Sequence, residues 1–104
     1  MNGQPQEKRL HPRKACHAKV VFEDEFGDGI FYVRAKDLSL GGLFLESDIP
    51  VRVGTMLFLS FALPGKKRPV RVTGEVVRAA GQGVGIRFVG LPEKARAAIE
   101  RFLG

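Results

Sequence analysis

The sequence contains no tryptophan, one cysteine and two histidines. One cysteine cannot form a disulfide within the chain, and two histidines without further cysteines do not supply the ligands of a zinc site. The longest uncharged and largely apolar run, Met56 to Leu63, is far shorter than the roughly 20 residues that a membrane-spanning helix requires. The sequence therefore predicts no disulfide, no metal centre and no insertion into a membrane.

The N-terminal residues lack the apolar stretch of a secretory signal peptide, and a cytoplasmic location is therefore expected. A length of 104 residues fits one domain, and the hydrophobic fraction of 44% with a charged fraction of 27% is that of an ordinary globular protein. Residues 1–7 are polar and show no periodicity, which predicts a flexible leader. We expect a single domain over residues 8–104.

Positive charge is unevenly distributed along the chain. The formal net charge is +6 and the isoelectric point is near 10.0, values that favour an anionic partner. One basic group precedes the first apolar run, and the other, Lys66 to Arg68, is interpreted as the solvated tip of a hairpin. The first group consists of Lys8, Arg9, Arg13, Lys14 and Lys19.

Alternation of apolar and polar residues at a period of two predicts short strands. A helical period follows them from Pro92 to the C-terminus and predicts one helix of about eleven residues. Short strands linked by hairpin-like turns, followed by a terminal helix, favour a small antiparallel β-barrel whose helix covers an open end or seam. The six predicted strands cover residues 16–23, 30–36, 43–46, 55–63, 70–80 and 84–88.

The strand from Thr55 to Leu63 is apolar on nearly both faces, and we expect it to be buried or covered. Phe58 is accordingly interpreted as a core residue. Cys16 and His17 are neighbours in a predicted strand and would point to opposite faces, so they cannot form a nucleophile–base pair. Since no other acid–base pair or triad has workable spacing, the sequence predicts no catalytic residue and no enzyme.

Two short motifs carry binding chemistry, and the first is Arg9-x-x-x-Arg13 immediately before the first strand. Arginine presents a planar fork of donors that matches the O6/N7 edge of guanine or two phosphate oxygens, and its flat face can stack on a purine. Pro12 disfavours helix and keeps the segment extended. The two arginines can therefore approach one ligand from different sides.

The second motif, Asp37-x-Ser39-x-x-Gly42, follows the second predicted strand. Asp37 offers an acceptor for the N1–H and N2–H₂ donors of guanine, and Ser39 can donate or accept a hydrogen bond. Gly41 and Gly42 favour positive φ and allow the main chain to approach a ligand closely. Together the two motifs predict a site for guanine and phosphate.

These motifs, with the segments 74–78 and 83–88 and the closing helix, resemble the PilZ family of bacterial domains that bind the second messenger cyclic di-GMP. The resemblance extends from Lys8 to Leu103. It implies a six-stranded antiparallel β-barrel with a C-terminal α-helix, a cyclic di-GMP ligand and no cofactor. It also implies a receptor that orders its arginine-rich segment over the ligand and signals to an unidentified protein partner.

The resemblance further assigns site residues. It implies that Arg9 and Arg13 clamp the guanines and phosphates, and that Asp37, Ser39 and Gly42 form the floor of the guanine site. Three further residues are secondary candidates because they adjoin the motifs or fall where family members place a side chain against a base. They are Lys8, Gly41 and Arg78.

Two alternative functions remain open at this stage. One is a PilZ-like interaction domain that acts without nucleotide, against which the intact motifs count. The other is a basic β-barrel that binds single-stranded nucleic acid. The second alternative explains the positive charge, but it does not explain why Asp37 and Ser39 accompany the arginines.

Overall fold

The computed structural model describes residues 11–47 and 49–104 of the chain. Within these residues the chain forms seven strands and one helix. The elements are β1 (Lys14–Ala15), β2 (Lys19–Asp24), β3 (Ile30–Leu38), β4 (Gly42–Glu46), β5 (Met56–Phe61), β6 (Val70–Ala80), β7 (Gly83–Phe88) and α1 (Glu93–Leu103).

All strand pairs are antiparallel, and the strands from β2 to β7 form a closed barrel. Going round the barrel, β3 pairs with β2, β2 with β5, β5 with β6, β6 with β7 and β7 with β4. Pairing of β4 with β3 closes the circle. The two-residue β1 adds to the C-terminal end of β3. The predicted six-stranded antiparallel barrel with a terminal helix is confirmed.

The barrel interior is filled by the apolar residues of the alternating pattern. On β5, for example, Leu57 and Leu59 are buried, and on β2 the buried pair is Val20 and Phe22. Each such side chain contributes about 1.5–3 kcal/mol when it leaves water. Because strand residues alternate between the two faces, the intervening positions point outwards and are available to build a surface site.

Helix α1 packs against β6 and supplies the buried Ile99 to the core. Glu93 lies in its first turn and Arg101 in its last, which matches the helix dipole at both ends. Gly104 ends the helix with a φ of 90°, and its N–H donates to the carbonyl oxygen of Glu100 at 3.1 Å. Among the described residues no helix is both long and apolar enough to cross a membrane.

Three sequence predictions require correction. The first predicted strand begins at Lys19 and not at residue 16, because His17 has a φ of 50° and lies between β1 and β2. The second strand continues to Leu38, so Asp37 lies within β3 and not after it. Phe58 is 49% exposed and is not a core residue, because it points outwards between Leu57 and Leu59 on a part of β5 that the structure leaves uncovered.

Candidate ligand site

A tight turn, Ser39 to Gly42, connects β3 to β4 and is built around the serine hydroxyl. The Oγ of Ser39 accepts hydrogen bonds from the N–H groups of Gly41 at 3.1 Å and Gly42 at 3.2 Å. The backbone N–H of Ser39 donates to the carbonyl oxygen of Gly42 at 2.8 Å. Only 5% of Ser39 is exposed, so its hydroxyl is occupied in shaping the turn. Ser39 thus acts on the site mainly through the main chain that it holds.

The turn is also fixed to strand β7. The N–H of Phe88 donates to the carbonyl oxygen of Gly41 at 2.8 Å. A Cβ at Gly42 would overlap the carbonyl oxygen of Ile86, which is main chain and cannot move independently. Neither Gly41 nor Gly42 has a positive φ, so that part of the sequence prediction is wrong. Gly42 is needed because β4 and β7 approach each other closely at this point.

Arg13 lies directly beside the turn and contacts Asp37. Its Nη1 donates to Oδ1 of Asp37 at 2.7 Å. The two residues are brought together by β1, in which Ala15 pairs with Asp37 and Lys14 with Leu38. The side chains retain 37% and 25% of their exposure, so solvent and ligands can reach both partners.

This contact joins the two sequence motifs. Arg13 belongs to the segment that the resemblance expects to order over the ligand, and in the structure it adjoins β1 and is paired with a carboxylate of the second motif. The other arginine of the motif, Arg9, and the secondary candidate Lys8 lie outside the described residues.

His11 extends the site on the N-terminal side of Arg13. A Cβ placed on Gly41 would lie 2.7 Å from Cδ2 of His11, so the imidazole ring rests against the glycine of the turn. His11 is exposed. Its position beside Gly41 places a ring nitrogen within reach of a ligand that lies over the turn.

Arg78 belongs to a row of residues that runs across four strands on the outer face of the barrel. Asp37 pairs with Phe44, Phe44 with Gly85 and Gly85 with Arg78. Residues that pair directly in antiparallel strands point to the same face. Three of the six steps between neighbouring strands of the closed barrel, each about 4.8 Å, separate β3 from β6. Arg78 therefore lies half-way round the barrel from Asp37 and is not in contact with it, and its guanidinium extends back towards Phe44.

Phe44 is a residue of this row that the sequence interpretation missed. Its ring lies 5.9 Å from the guanidinium carbon of Arg78, a cation–π arrangement. The alternation around it could have revealed it, because Leu43 and Leu45 are buried and the residue between them must face outwards. The Phe44 ring lies over Gly83, and the guanidinium of Arg78 lies near the same ring.

Lys14 was also missed as an organising residue. Its Nζ donates to the carbonyl oxygen of Phe102 at 2.9 Å and lies 4.6 Å from the centre of the Phe102 ring. Lys14 therefore fastens β1 to the C-terminal end of α1, and β1 in turn positions Arg13. No local pattern predicts this contact, because the two residues come from opposite ends of the chain.

The single thiol belongs to Cys16, which directly follows β1 and is partly buried. Burial raises the pKa of the Cys16 thiol, with a smaller contribution in the same direction from the charge of Asp37. The backbone hydrogen bonds that the thiol receives from Ala18 and His17 act in the opposite direction and are outweighed. At neutral pH the thiol is therefore protonated.

Alkylation of Cys16 by iodoacetamide is expected to be several-fold slower in the folded protein than in the same chain unfolded in urea. The raised pKa leaves less of the nucleophilic thiolate at any pH below it. Mass spectrometry of the reaction over time at mildly alkaline pH measures both rates. Equal rates would contradict the assigned burial of the thiol.

The arrangement is suited to binding. It combines the partly exposed guanidinium of Arg13, the carboxylate acceptor of Asp37 and the outward-facing ring of Phe44. The first two lie beside the turn that Ser39 holds. Within residues 11–47 and 49–104, no group of three or more His, Cys, Asp and Glu side chains could hold a metal ion. Fold and site together define a small β-barrel domain with a candidate ligand site on its outer wall.

Comparison with known proteins agrees with the assignment of this chain as a small β-barrel domain. Residues 7–104 match the family described as PilZ domain, and the chain belongs to that family. Among curated protein sequences none matches this chain.

Solved structures share the fold at low sequence identity. The PilZ domain of YcgR from Escherichia coli, solved with c-di-GMP, has a TM-score of 0.73 at 12% identity, and the match covers 90% of this chain and 87% of that one. The PilZ domain of CeSA from a cellulose-synthesizing bacterium has a TM-score of 0.72 at 17% identity, with coverage of 86% and 92%.

The Bacillus subtilis inhibitor of motility, MotI/DgrA, has a TM-score of 0.79 at 16% identity. The match covers 90% of this chain and 48% of the Bacillus protein. This chain therefore spans about half the length of that protein.

Proposed function

We propose that this protein is a non-enzymatic receptor for cyclic di-GMP. The observation that carries the proposal is the contact between Arg13 and Asp37 beside the Ser39–Gly42 turn, because it joins the two sequence motifs in one surface site. Membership of the PilZ family supports the ligand, as do the YcgR and Borreliella burgdorferi PlzA structures, which are complexes with c-di-GMP.

In this proposal the paired residues recognise complementary parts of the dinucleotide. The fork of Arg13 donates to a guanine O6/N7 edge or to phosphate oxygens. The carboxylate of Asp37 accepts from the guanine N1–H and N2–H₂ groups. Both partners are partly exposed, so the ligand can share the ion pair without first breaking a buried contact.

The remaining residues complete the site. Ser39 holds the turn, Gly42 lets the turn lie close against β7, and the ring of His11 lies over Gly41. Phe44 and Arg78 offer an aromatic ring and a guanidinium to the more distant base. Arg9 and Lys8, which precede the described residues, supply the second arginine of the clamp and a further positive charge.

The proposed output follows from the position of the clamp. The segment that contains Arg9 orders over the bound dinucleotide, and the altered surface is recognised by a protein partner. We place this activity in the cytoplasm and assign no catalytic step to the domain. Residues 1–7 serve as the leader that precedes the domain.

Calorimetric titration of the purified protein with cyclic di-GMP tests the proposal. Saturable binding of cyclic di-GMP is expected, with much weaker binding of the two control nucleotides, cyclic di-AMP and GTP. Adenine lacks the O6 acceptor and the N2–H₂ donor, and a single guanosine nucleotide cannot occupy both ends of the row from Asp37 to Arg78.

Two other results would overturn it. Absence of binding to all three nucleotides would instead support an interaction domain that acts without ligand. A strongly salt-dependent response to generic single-stranded oligonucleotides, without preference for cyclic di-GMP, would support nucleic-acid binding.

A further inference from the structure

A groove separates the β5–β6 hairpin tip from helix α1, on a part of the molecule that the candidate ligand site does not use. It encloses about 760 Å³. Its floor is apolar and includes Val70, Ala95 and Ala98, all of which are buried. Its rim carries five cationic side chains and no acidic one: Lys66, Arg68, Arg71, Lys94 and Arg101.

The five cations come from both walls of the groove. The β5–β6 hairpin contributes Lys66, Arg68 and Arg71. Helix α1 contributes Lys94 and Arg101, which lie seven residues apart on one helical face. Two turns of helix separate these two charges by about 10 Å. A segment of two helical turns or a short extended peptide matches this length.

None of the five rim cations forms a salt bridge within the part of the chain that the structure describes. The acidic residues of α1 do not compensate them. Glu93 and Glu100 are outside the groove lining, and Glu100 lies 4.0 Å from Arg96, which is also outside it. Cations that surround a low-dielectric floor concentrate positive potential and attract an anionic partner.

A second depression continues the groove across the barrel. It encloses about 300 Å³, and it shares Arg71 and Pro92 with the first. Its lining includes Phe58, the outward-facing ring of β5 that is 49% exposed. An apolar contact site therefore adjoins the cationic rim.

We infer that this groove binds an acidic polypeptide segment that carries an apolar side chain next to its carboxylates. The carboxylates would pair with the rim cations, and the apolar side chain would pack against Phe58. The surface would serve the receptor proposed above as its contact with a downstream partner. The inference rests on that proposed function for its place in signalling, although binding itself requires no dinucleotide.

Nucleic acid and membrane fit the groove less well. Base stacking on aromatic rings supports most single-strand binding, and no aromatic residue lines the larger cavity. Membrane-surface segments present large apolar side chains for insertion beside their cations, whereas the floor here is lined with alanine, valine and proline. A narrow groove with charge on both walls matches a single polypeptide segment.

Binding of synthetic peptides to the full-length protein tests the inference. The probes are short fluorescent peptides that combine several glutamates with one leucine or phenylalanine at varied positions, each paired with a version that has glutamine in place of glutamate. Fluorescence anisotropy at physiological ionic strength is expected to show binding of glutamate peptides and at least about tenfold weaker binding of the glutamine versions.

A pair of charge-matched variants locates the binding surface. Lys66→Gln combined with Arg68→Gln removes two rim cations and is expected to weaken binding about tenfold. Lys67→Gln combined with Arg52→Gln removes the same charge from exposed residues that do not line the groove, and is expected to weaken binding less than twofold. Phe58→Ser is expected to reduce binding of the peptides that carry the apolar residue. It should lower the melting temperature by several degrees without unfolding the protein, because about half of this side chain is already exposed.

These measurements test the proposal for the groove separately from the proposal for the dinucleotide site. Lys66→Gln/Arg68→Gln should still bind cyclic di-GMP, and Arg13→Ala should still bind the acidic peptides. The inference is wrong if no glutamate peptide binds better than its glutamine version, or if both charge-matched variants weaken binding equally. It is also wrong if a single-stranded oligonucleotide or an anionic lipid vesicle displaces the peptides more effectively than an unlabelled peptide does.

Discussion

Replacement of Gly42 by alanine is expected to lower the melting temperature by roughly 12–24 °C. The new Cβ would overlap the carbonyl oxygen of Ile86, and neither main chain can yield without disturbing the pairing of β4 with β7. Overpacking against main chain costs about 3 kcal/mol, and each kcal/mol shifts the melting temperature of a domain of this size by about 4–8 °C. Thermal unfolding followed by circular dichroism measures the change.

Gly85→Ala is the matched control. Gly85 lies on β7, faces outwards and has no positive φ, but the nearest atom to a Cβ there would be the Cβ of Arg78, at an ordinary contact distance of 3.5 Å. Its melting temperature should change by a few degrees at most, because the added methyl group restricts the unfolded chain slightly. Equal losses in the two variants would show that the close approach at Gly42 is not the cause.

Arg13→Ala is expected to weaken the binding of cyclic di-GMP by roughly 100-fold while leaving the melting temperature within a few degrees of the wild type. The affinity falls because a charge-assisted and potentially bidentate contact to guanine or phosphate is lost. Stability changes little, because a salt bridge between partly exposed side chains contributes less than about 1 kcal/mol. Calorimetric titration and a thermal melt of the same sample measure the two quantities.

Two further variants separate charge from geometry. Arg13→Lys keeps the positive charge but loses the planar fork, and should recover only part of the affinity. Arg52→Ala removes an exposed arginine that belongs to neither motif and should bind like the wild type. If Arg13→Ala binds cyclic di-GMP as tightly as the wild type, the proposed role of this residue is wrong.

The pairing of Arg13 with Asp37 makes the effects of their substitutions dependent on each other. Once Asp37→Ala has removed the carboxylate, Arg13 is no longer held beside the turn, so the second substitution should cost less than it does alone. The double variant is therefore expected to show a smaller loss than the sum of the two single losses, expressed as free energies. Additive losses would indicate that the two residues contact the ligand separately.

The barrel itself could be predicted from local patterns. Alternation marked the buried residues Leu57 and Leu59, and the change of period marked α1 at its observed length. The exposure of Phe58 could not be predicted, because an element that is apolar on both faces does not reveal which face the rest of the chain covers. The break at His17 depends on a backbone conformation that histidine rarely adopts.

The candidate site could be predicted as a set of residues but not as an arrangement. The motifs indicated that Arg13, Asp37 and the turn belong together, and the structure places them side by side. The register between β1 and β3 decides which residues meet, and register depends on contacts between distant parts of the chain. For the same reason no sequence pattern indicated the row that joins Asp37 to Phe44 and Arg78.

The closed barrel limits how a partner can bind. Each of the six barrel strands has a neighbour on both sides, because β4 returns to pair with β3. Many small sheet domains capture peptides by β-augmentation, in which the peptide adds a strand to a free sheet edge. Main-chain hydrogen bonds along a full strand are already satisfied in this barrel. Among the described residues, a protein that binds the wall of this barrel must therefore use side chains on its outer surface.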